Sequence, residues 1–316
     1  MKRSIISILI LVPLIISPGK LTSQSNVMYR FHFMHPDILN PAISGSTYFP
    51  QACLTYNKQW IGIQQSPQSM LASASIRIGN FDFYDPQKLI NTSRIRSRER
   101  IGLGIALFSD RNGPVTSRGI NAAYAYHLPL PRARLSLGIS GSAEQRILDE
   151  TMFQPTYPGD PILKGTRESF MAYNAAVGAY YYSPEFFGGV AFHQIIPLDD
   201  KFYPGEKVKP DVILHGGYLF SSFGNPKFEI STSLRYFDLD ILEYDVQFRT
   251  YIREIHWFAL SFKSFGGVAL HLGFNISKFY LAYTYETEFS SMVRYHMGTH
   301  ALHLGINLGM RRITGF

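Results

Sequence analysis

From about residue 51 to its end, the chain alternates apolar residues with small or polar ones, one for one. Leu302, Leu304, Ile306 and Leu308 are interleaved with His303, Gly305, Asn307 and Gly309. Ile101, Leu103, Ile105 and Leu107 alternate with Gly102, Gly104 and Ala106, and Leu135, Leu137 and Ile139 with Ser136, Gly138 and Ser140. Successive side chains of a strand point to opposite faces, so each segment has one apolar face and one small or polar face. The period and its turn signals predict about fourteen strands. They lie near 51–58, 69–78, 101–109, 119–128, 134–142, 172–182, 187–195, 211–221, 227–236, 244–251, 256–264, 268–275, 278–286 and 300–309.

A soluble sandwich shows the same alternation, and the connections separate the two readings. Those after the even strands are short: Pro129–Ala133, Ser183–Phe186, Ser222–Pro226, Ile252–Ile255 and a turn near Ser277. Three of those after odd strands are long: Ala143–Met171, Ile196–Pro210 and Thr287–Thr299. Short turns at one end and long loops at the other are the pattern of an outer-membrane β-barrel. Residues 79–100 break it with a long even connection carrying Arg94, Arg96, Arg98 and Arg100 around the single acid Glu99. That cluster reads as a solvated loop or as a docking patch for an acidic periplasmic partner.

The start of the chain supports export. Lys2 and Arg3 precede an apolar run from Ile5 to Ile16, and small residues follow at Ser23 and Ser25. The run is short of the roughly 20 residues a membrane-spanning helix needs. The reading is a signal peptide over 1–23, with an N-terminal anchor as its competitor. Residues 24–50 lack alternation and carry Pro36, Pro41, Pro50 and Asn40-Pro-Ala-Ile-Ser-Gly45. Proline removes a ladder donor, so this stretch reads as a plug or hatch, or as an ordered periplasmic lead-in, ahead of a barrel over 51–316.

Composition changes the picture little. There are 24 Phe and 20 Tyr against 2 Trp, and charged residues make up 17%. The formal net charge of +7 falls to +4 once Lys2, Arg3 and Lys20 leave with the signal peptide, which argues against nucleic acid as a partner. The single cysteine, Cys53, makes no internal disulfide and lies far from the cleavage region. The inward faces, rich in Gly, Ser, Ala, Asn and His, leave a lumen that strand side chains alone should not fill. Tyr180, Tyr181, Tyr182, Phe186 and Phe187 around one short turn read as an interfacial aromatic girdle.

Chemistry is sparse. GxSxG, HExxH, P-loop and CxxC motifs are absent, and no catalytic residue or cofactor is expected. His296, His300 and His303 have helical spacing but lie in or near a strand, where His300 and His303 point to opposite faces; His32 and His35 are no better supported as metal ligands. Asn91-Thr92-Ser93 matches a sequon common by chance.

Three blocks carry a resemblance. Asn40–Gly45, then Tyr56-Asn-Lys-Gln-Trp-Ile-Gly-Ile-Gln-Gln-Ser-Pro67, then Gly102–Pro114 running on to Gly119–Leu128, stand in that order. With Gly178–Gln194 and Met297–Gly309, they resemble the PorP/SprF family of outer-membrane proteins of type IX secretion and gliding systems. The resemblance implies a fourteen-stranded barrel like the long-chain fatty-acid transporters, in the outer membrane of a diderm bacterium. It implies binding of a secreted protein's C-terminal sorting domain, such as that of a gliding adhesin, and as further partners the periplasmic lipoprotein ring attached to the motor, the translocon and the outer-membrane lipids. Residues 79–100 look longer than the usual family connection, and a basic tail, Met310–Phe316, follows the last strand.

Residue roles follow from chemistry. Asn40, Pro41 and Gly45 suit a rigid turn, as do Asp110, Gly113 and Pro114. Gln59 and Trp60 are placed on an exposed loop or rim, where Trp60 is either an interface anchor or a contact for bound polypeptide. Phe153, Tyr157, Phe202, Tyr203, Phe289 and Arg294 on the long loops are residue types that anchor interfaces. The competing functions are a secretion and anchoring barrel, a channel for hydrophobic small molecules, and an outer-membrane enzyme.

Overall fold

The computed structural model describes residues 30–47, 50–78, 100–152, 165–196, 210–220, 225–237, 241–253, 255–276, 278–289 and 291–308. The signal peptide, most of the 79–100 connection, the 310–316 tail and the sequon lie outside them. Fourteen antiparallel strands close into one barrel in sequence order, with the last strand pairing with the first. They are β1 (Gln51–Lys58), β2 (Gln68–Ile78), β3 (Ile101–Asn112), β4 (Val115–Pro129) and β5 (Arg134–Asp149). β6 (Arg167–Tyr182), β7 (Phe186–His193), β8 (Asp211–Phe220), β9 (Lys227–Phe237) and β10 (Ile241–Ile252) follow. β11 (His256–Lys263), β12 (Gly267–Ile276), β13 (Phe279–Glu288) and β14 (Thr299–Asn307) complete the wall. No described helix is long and apolar enough to cross a membrane; the crossing is made by strands, which closure of the barrel lets pair on both sides within the bilayer.

The two faces sort as the alternation requires. Leu302 and Leu304 on β14, and Leu103, Ile105 and Leu107 on β3, are exposed on the outside of the wall. Between them His303, Ala301 and Ala106 are buried inside it. Register locks this arrangement: Leu304 stands opposite Leu54 on β1 and Leu281 on β13. A slip of one residue would turn every such side chain into the lumen.

Two expectations are corrected here. Ala143–Met171 is not a loop throughout: β5 runs on to Asp149 and β6 begins at Arg167, paired over their whole length. Because β7 pairs only with residues 177–182 of β6, the outer half of β6 stands above its neighbour. The barrel therefore has one tall wall, with β4, β5 and β6 of 15, 16 and 16 residues against 8 for β1, β7 and β11. The five-residue aromatic girdle is split by strand parity. Tyr181 and Phe186 face outward, whereas Tyr180 and Tyr182 stack face to face inside, at 5.2 Å between ring centroids.

Candidate functional site

Residues 30–46 lie against the inward faces of the wall, and their contacts define the site. A short helix α1 (Pro36–Leu39) leads through Asn40 into a single 3-10 turn at Pro41–Ile43. Proline at the first position of each piece suits a turn that has no donor to lose there. Asn40 Oδ1 accepts from the Ala42 amide at 2.9 Å and fixes the junction. Its Nδ2 faces the Ala179 carbonyl at 2.9 Å, the Val190 carbonyl at 3.3 Å and His215 Nε2 at 3.0 Å. One fully buried amide thus ties the segment to β6, β7 and β8.

The backbone of the segment is held in the same way. His193 Nε2 donates to the Leu39 carbonyl at 2.9 Å, and His127 Nε2 to the Ser44 carbonyl at 2.9 Å. Arg77 Nε donates to the Gly45 carbonyl at 2.7 Å, and its Nη2 reaches the Ser46 carbonyl and the Tyr182 hydroxyl. The segment comes so close to the wall that a Cβ on Gly138 would strike Ala42, and one on Gly178 would strike Asn40. That contact accounts for glycine on those inward positions. Gly45 itself has φ of +68°, which a side chain would strain.

The remaining strands are joined by a hydrogen-bonded belt. Arg249 Nη2 donates to Gln247 Oε1 at 2.7 Å, and Gln247 Nε2 donates to Ser261 Oγ at 3.1 Å. Ser261 meets His271 Nε2 at 3.0 Å, and His271 Nδ1 meets Thr284 Oγ1 at 2.8 Å. Thr284 meets His303 Nε2 at 3.1 Å, and His303 Nδ1 meets Thr55 Oγ1 at 2.7 Å. Thr55 then meets His35 Nε2 at 2.7 Å, and His35 Nδ1 meets Ser73 Oγ at 2.7 Å. At the far end Arg249 Nη1 donates to the Tyr251 hydroxyl, which donates to Glu229 at 2.9 Å.

One polarity satisfies every link with one proton each. Arginine has no acceptor, so the Gln247 atom facing Arg249 is its oxygen and the amide nitrogen faces Ser261. Each hydroxyl then accepts on one side and donates to an Nε2 on the other, and each imidazole is neutral with its proton on Nδ1. The belt crosses eight consecutive strands, from β9 through β14 and β1 to β2, and its only member outside the wall is His35. Thr284→Val is expected to leave His271 Nδ1 without an acceptor and His303 Nε2 without a donor. The cost of unmade bonds at such sites is about 1–3 kcal/mol. Denaturant unfolding reads the loss, and nitrogen-15 shifts of the two imidazoles read the change of tautomer.

At the outer end, Arg30 stands 3.7 Å from Glu286, which Lys263 also contacts at 2.7 Å. Arg235 bridges buried Asp211 at 2.6 Å and Glu243 at 3.2 Å. No motif in the sequence singles out these ions, nor His127, His193, His215 or His271. Their signal was parity: Arg77 sits at an inward position between Ile76 and Ile78, and Arg235 between Leu234 and Tyr236.

The residues singled out from sequence fall in different places. Asn40, Pro41 and Gly45 are in the segment just described. Asp110 is not part of a turn: it faces inward on β3 and accepts from Ser69 at 2.8 Å. Gly113 and Pro114 do form the β3–β4 hairpin turn, with Gly113 at φ +57°. Gln59 is corrected from exposed to buried. Trp60 is half-buried against His296, in a loop whose Ile61 exchanges backbone hydrogen bonds with Met297 and Gly298. Phe289 and Arg294 are exposed on the neighbouring β13–β14 connection. Arg100 donates to the Tyr126 hydroxyl at 3.3 Å. Arg94, Arg96, Arg98, Phe153, Tyr157, Phe202 and Tyr203 lie outside the described residues. His303 is buried in the belt, and His300 points the other way, to Tyr283. Among the described residues no three metal-ligating side chains come together.

The family described as type IX secretion system membrane protein PorP/SprF matches residues 21–306. The chain belongs to that family. It is therefore an outer-membrane barrel of type IX secretion. No curated protein sequence matches this PorP/SprF protein. Among solved structures it is similar to Omp33 of Acinetobacter baumannii, at 9% identity and a TM-score of 0.49, over 83% of this chain and 98% of that one. The toluene transporter TbuX of Ralstonia pickettii gives 9% and 0.49, over 86% of this chain and 92% of that one. A FadL homologue of Pseudomonas aeruginosa gives 8% and 0.47, over 86% and 93%.

Proposed function

We propose that this PorP/SprF protein holds a secreted protein at the cell surface by binding its C-terminal sorting domain at the outer rim, and that it links that cargo to periplasmic machinery. On this reading residues 30–46 act as a plug, and the barrel works by gripping at its ends instead of passing cargo or solute through its middle. The observation that carries the reading is the set of ties from that segment to the wall: Asn40 to three strands, His35 into the belt, and Arg77 on its last carbonyls. Loops on a rigid barrel are where binding residues concentrate. The outer end supplies a tall β4–β6 wall and, beside β1, exposed Phe289, Tyr295 and Arg294 on a connection braced by backbone hydrogen bonds. The surroundings of the segment favour this over a channel for hydrophobic molecules. Ile38 packs on Leu71 and Ala106, Leu39 on Ala191 and Ile213, and Phe33 against Trp257 and Ala259, so the segment's own side chains fill the apolar places, and the cleft beside Phe31 has room for about one water molecule.

The test is affinity purification from the native host. The full chain is compared with one in which 150–166, 194–210 and 289–298 are shortened. A large secreted protein is expected to co-purify with the full chain and to be lost on shortening. If none is recovered, or shortening leaves recovery unchanged, the anchoring function loses its basis and the channel moves ahead.

A further inference from the structure

The outer surface of the wall carries one charged patch that neither the lumen nor the rim loops explain. Strand register sets Tyr285, His300, Lys58, Gln68 and Arg111 in a single row across β13, β14, β1, β2 and β3. All five side chains leave the wall outward, at the outer end of the strands, where the β13–β14 connection lies. Arg118 on β4 is one strand further round, paired with Ser109. Lys58, Arg111 and Arg118 are exposed, and none has an acidic partner among the described residues. Directly beneath the row, Tyr56 and Met70 stand exposed on the lipid-facing side, paired across β1 and β2. Beyond Tyr285 the same register line runs on to Leu270 of β12 and Leu260 of β11, both apolar and exposed, so the row carries no cation on that side.

We infer that Lys58, Arg111 and Arg118 form a site for the phosphates of an anionic glycolipid of the outer leaflet, with Tyr56 and Met70 against its acyl chains. Strands lie about 4.8 Å apart, so Lys58 and Arg111 are about 10 Å from one another, with Arg118 nearer still to Arg111. That spread suits a headgroup with more than one phosphate. Arginine and lysine hydrogen-bond phosphate oxygens with charge assistance while their stems lie along the apolar surface. Arg111 and Arg118 stand on strands that pair with each other, and Lys58 is two strands from Arg111, so the three cations can serve one headgroup. The patch adjoins Trp60 and the β13–β14 connection, so a lipid held there borders the proposed cargo rim.

Native mass spectrometry of the full-length barrel in detergent tests this, with diphosphorylated lipid A, its monophosphorylated form and phosphatidylcholine as probes. The diphosphorylated lipid is expected to bind best. The triple variant K58Q/R111Q/R118Q is expected to lose about tenfold in affinity for it. A control removing three cations at the other end, R132Q/K227Q/R253Q, is expected to stay within about twofold. Heat-modifiable gel migration confirms that both variants are folded. Equal affinity of the triple variant, equal retention of phosphatidylcholine, or displacement of the glycolipid by millimolar inorganic phosphate would each overturn the assignment, the last by making it a free-anion site. None of these results bears on cargo binding, which the purification experiment reads separately.

Discussion

Asn40→Ala is expected to raise ion conductance through the barrel in a planar lipid bilayer. The alanine leaves two wall carbonyls, His215 Nε2 and the Ala42 amide without the partner they have now. Leaving buried polar groups unmade costs about 1–3 kcal/mol, which is one to two powers of ten in the population of the docked segment. Asn40→Asp, with the same shape, separates hydrogen bonding from packing. It keeps the acceptor for Ala42 but turns the donor into an oxygen aimed at the Ala179 and Val190 carbonyls, so it is expected to open the lumen at least as far. Gly178→Ala reaches the same end by displacing Asn40 sterically. Conductance as low as that of the native chain in all three variants would mean that residues 30–46 are not what closes the lumen.

Leu304→Arg is expected to impair assembly by about 2–4 kcal/mol, the cost of arginine on the lipid face near the bilayer midplane. Leu304 is exposed outward and faces Leu54 and Leu281 in the rows on either side, so no polar neighbour is placed to receive the guanidinium. Urea unfolding in lipid vesicles and the heat-modifiable shift on gels both report the loss. Arginine at Leu308, one residue past the end of β14, is expected to cost less, because the side chain reaches the interface. Equal stability of Leu304→Arg and the native chain would place this stretch outside the membrane.

The strands were legible because their outward residues are Leu, Ile, Phe or Tyr at every second position, as in Leu302–Leu308 and Ile101–Leu107. Legibility ended where lipid ends. In Ala143–Asp149 neither face is uniformly apolar, since water reaches both sides of a wall above the membrane, so the extension of β5 read as loop. Three consecutive tyrosines read as a girdle by composition, yet parity allows only the middle one, Tyr181, to face out. Asn40 was legible as a turn former, but not as a tie to β6, β7 and β8, because its partners are two carbonyls and a histidine 139 to 175 residues away. The belt was invisible for the same reason: His271 and His303 looked like isolated residues on strands and His35 like one in a stretch without period, and only closure of the barrel lines them up with threonine and serine.

Site-specific photocrosslinking in living cells tests the anchoring claim most directly. A photoreactive residue is placed at Phe289, which is 80% exposed on the outer connection, and in a separate strain at Ile276, which is 68% exposed at the opposite end of the wall. The account predicts a covalent adduct between position 289 and the C-terminal domain of a secreted surface protein, and no such adduct from position 276. Absence of that adduct at 289, in cells whose surface carries the secreted protein, would contradict it.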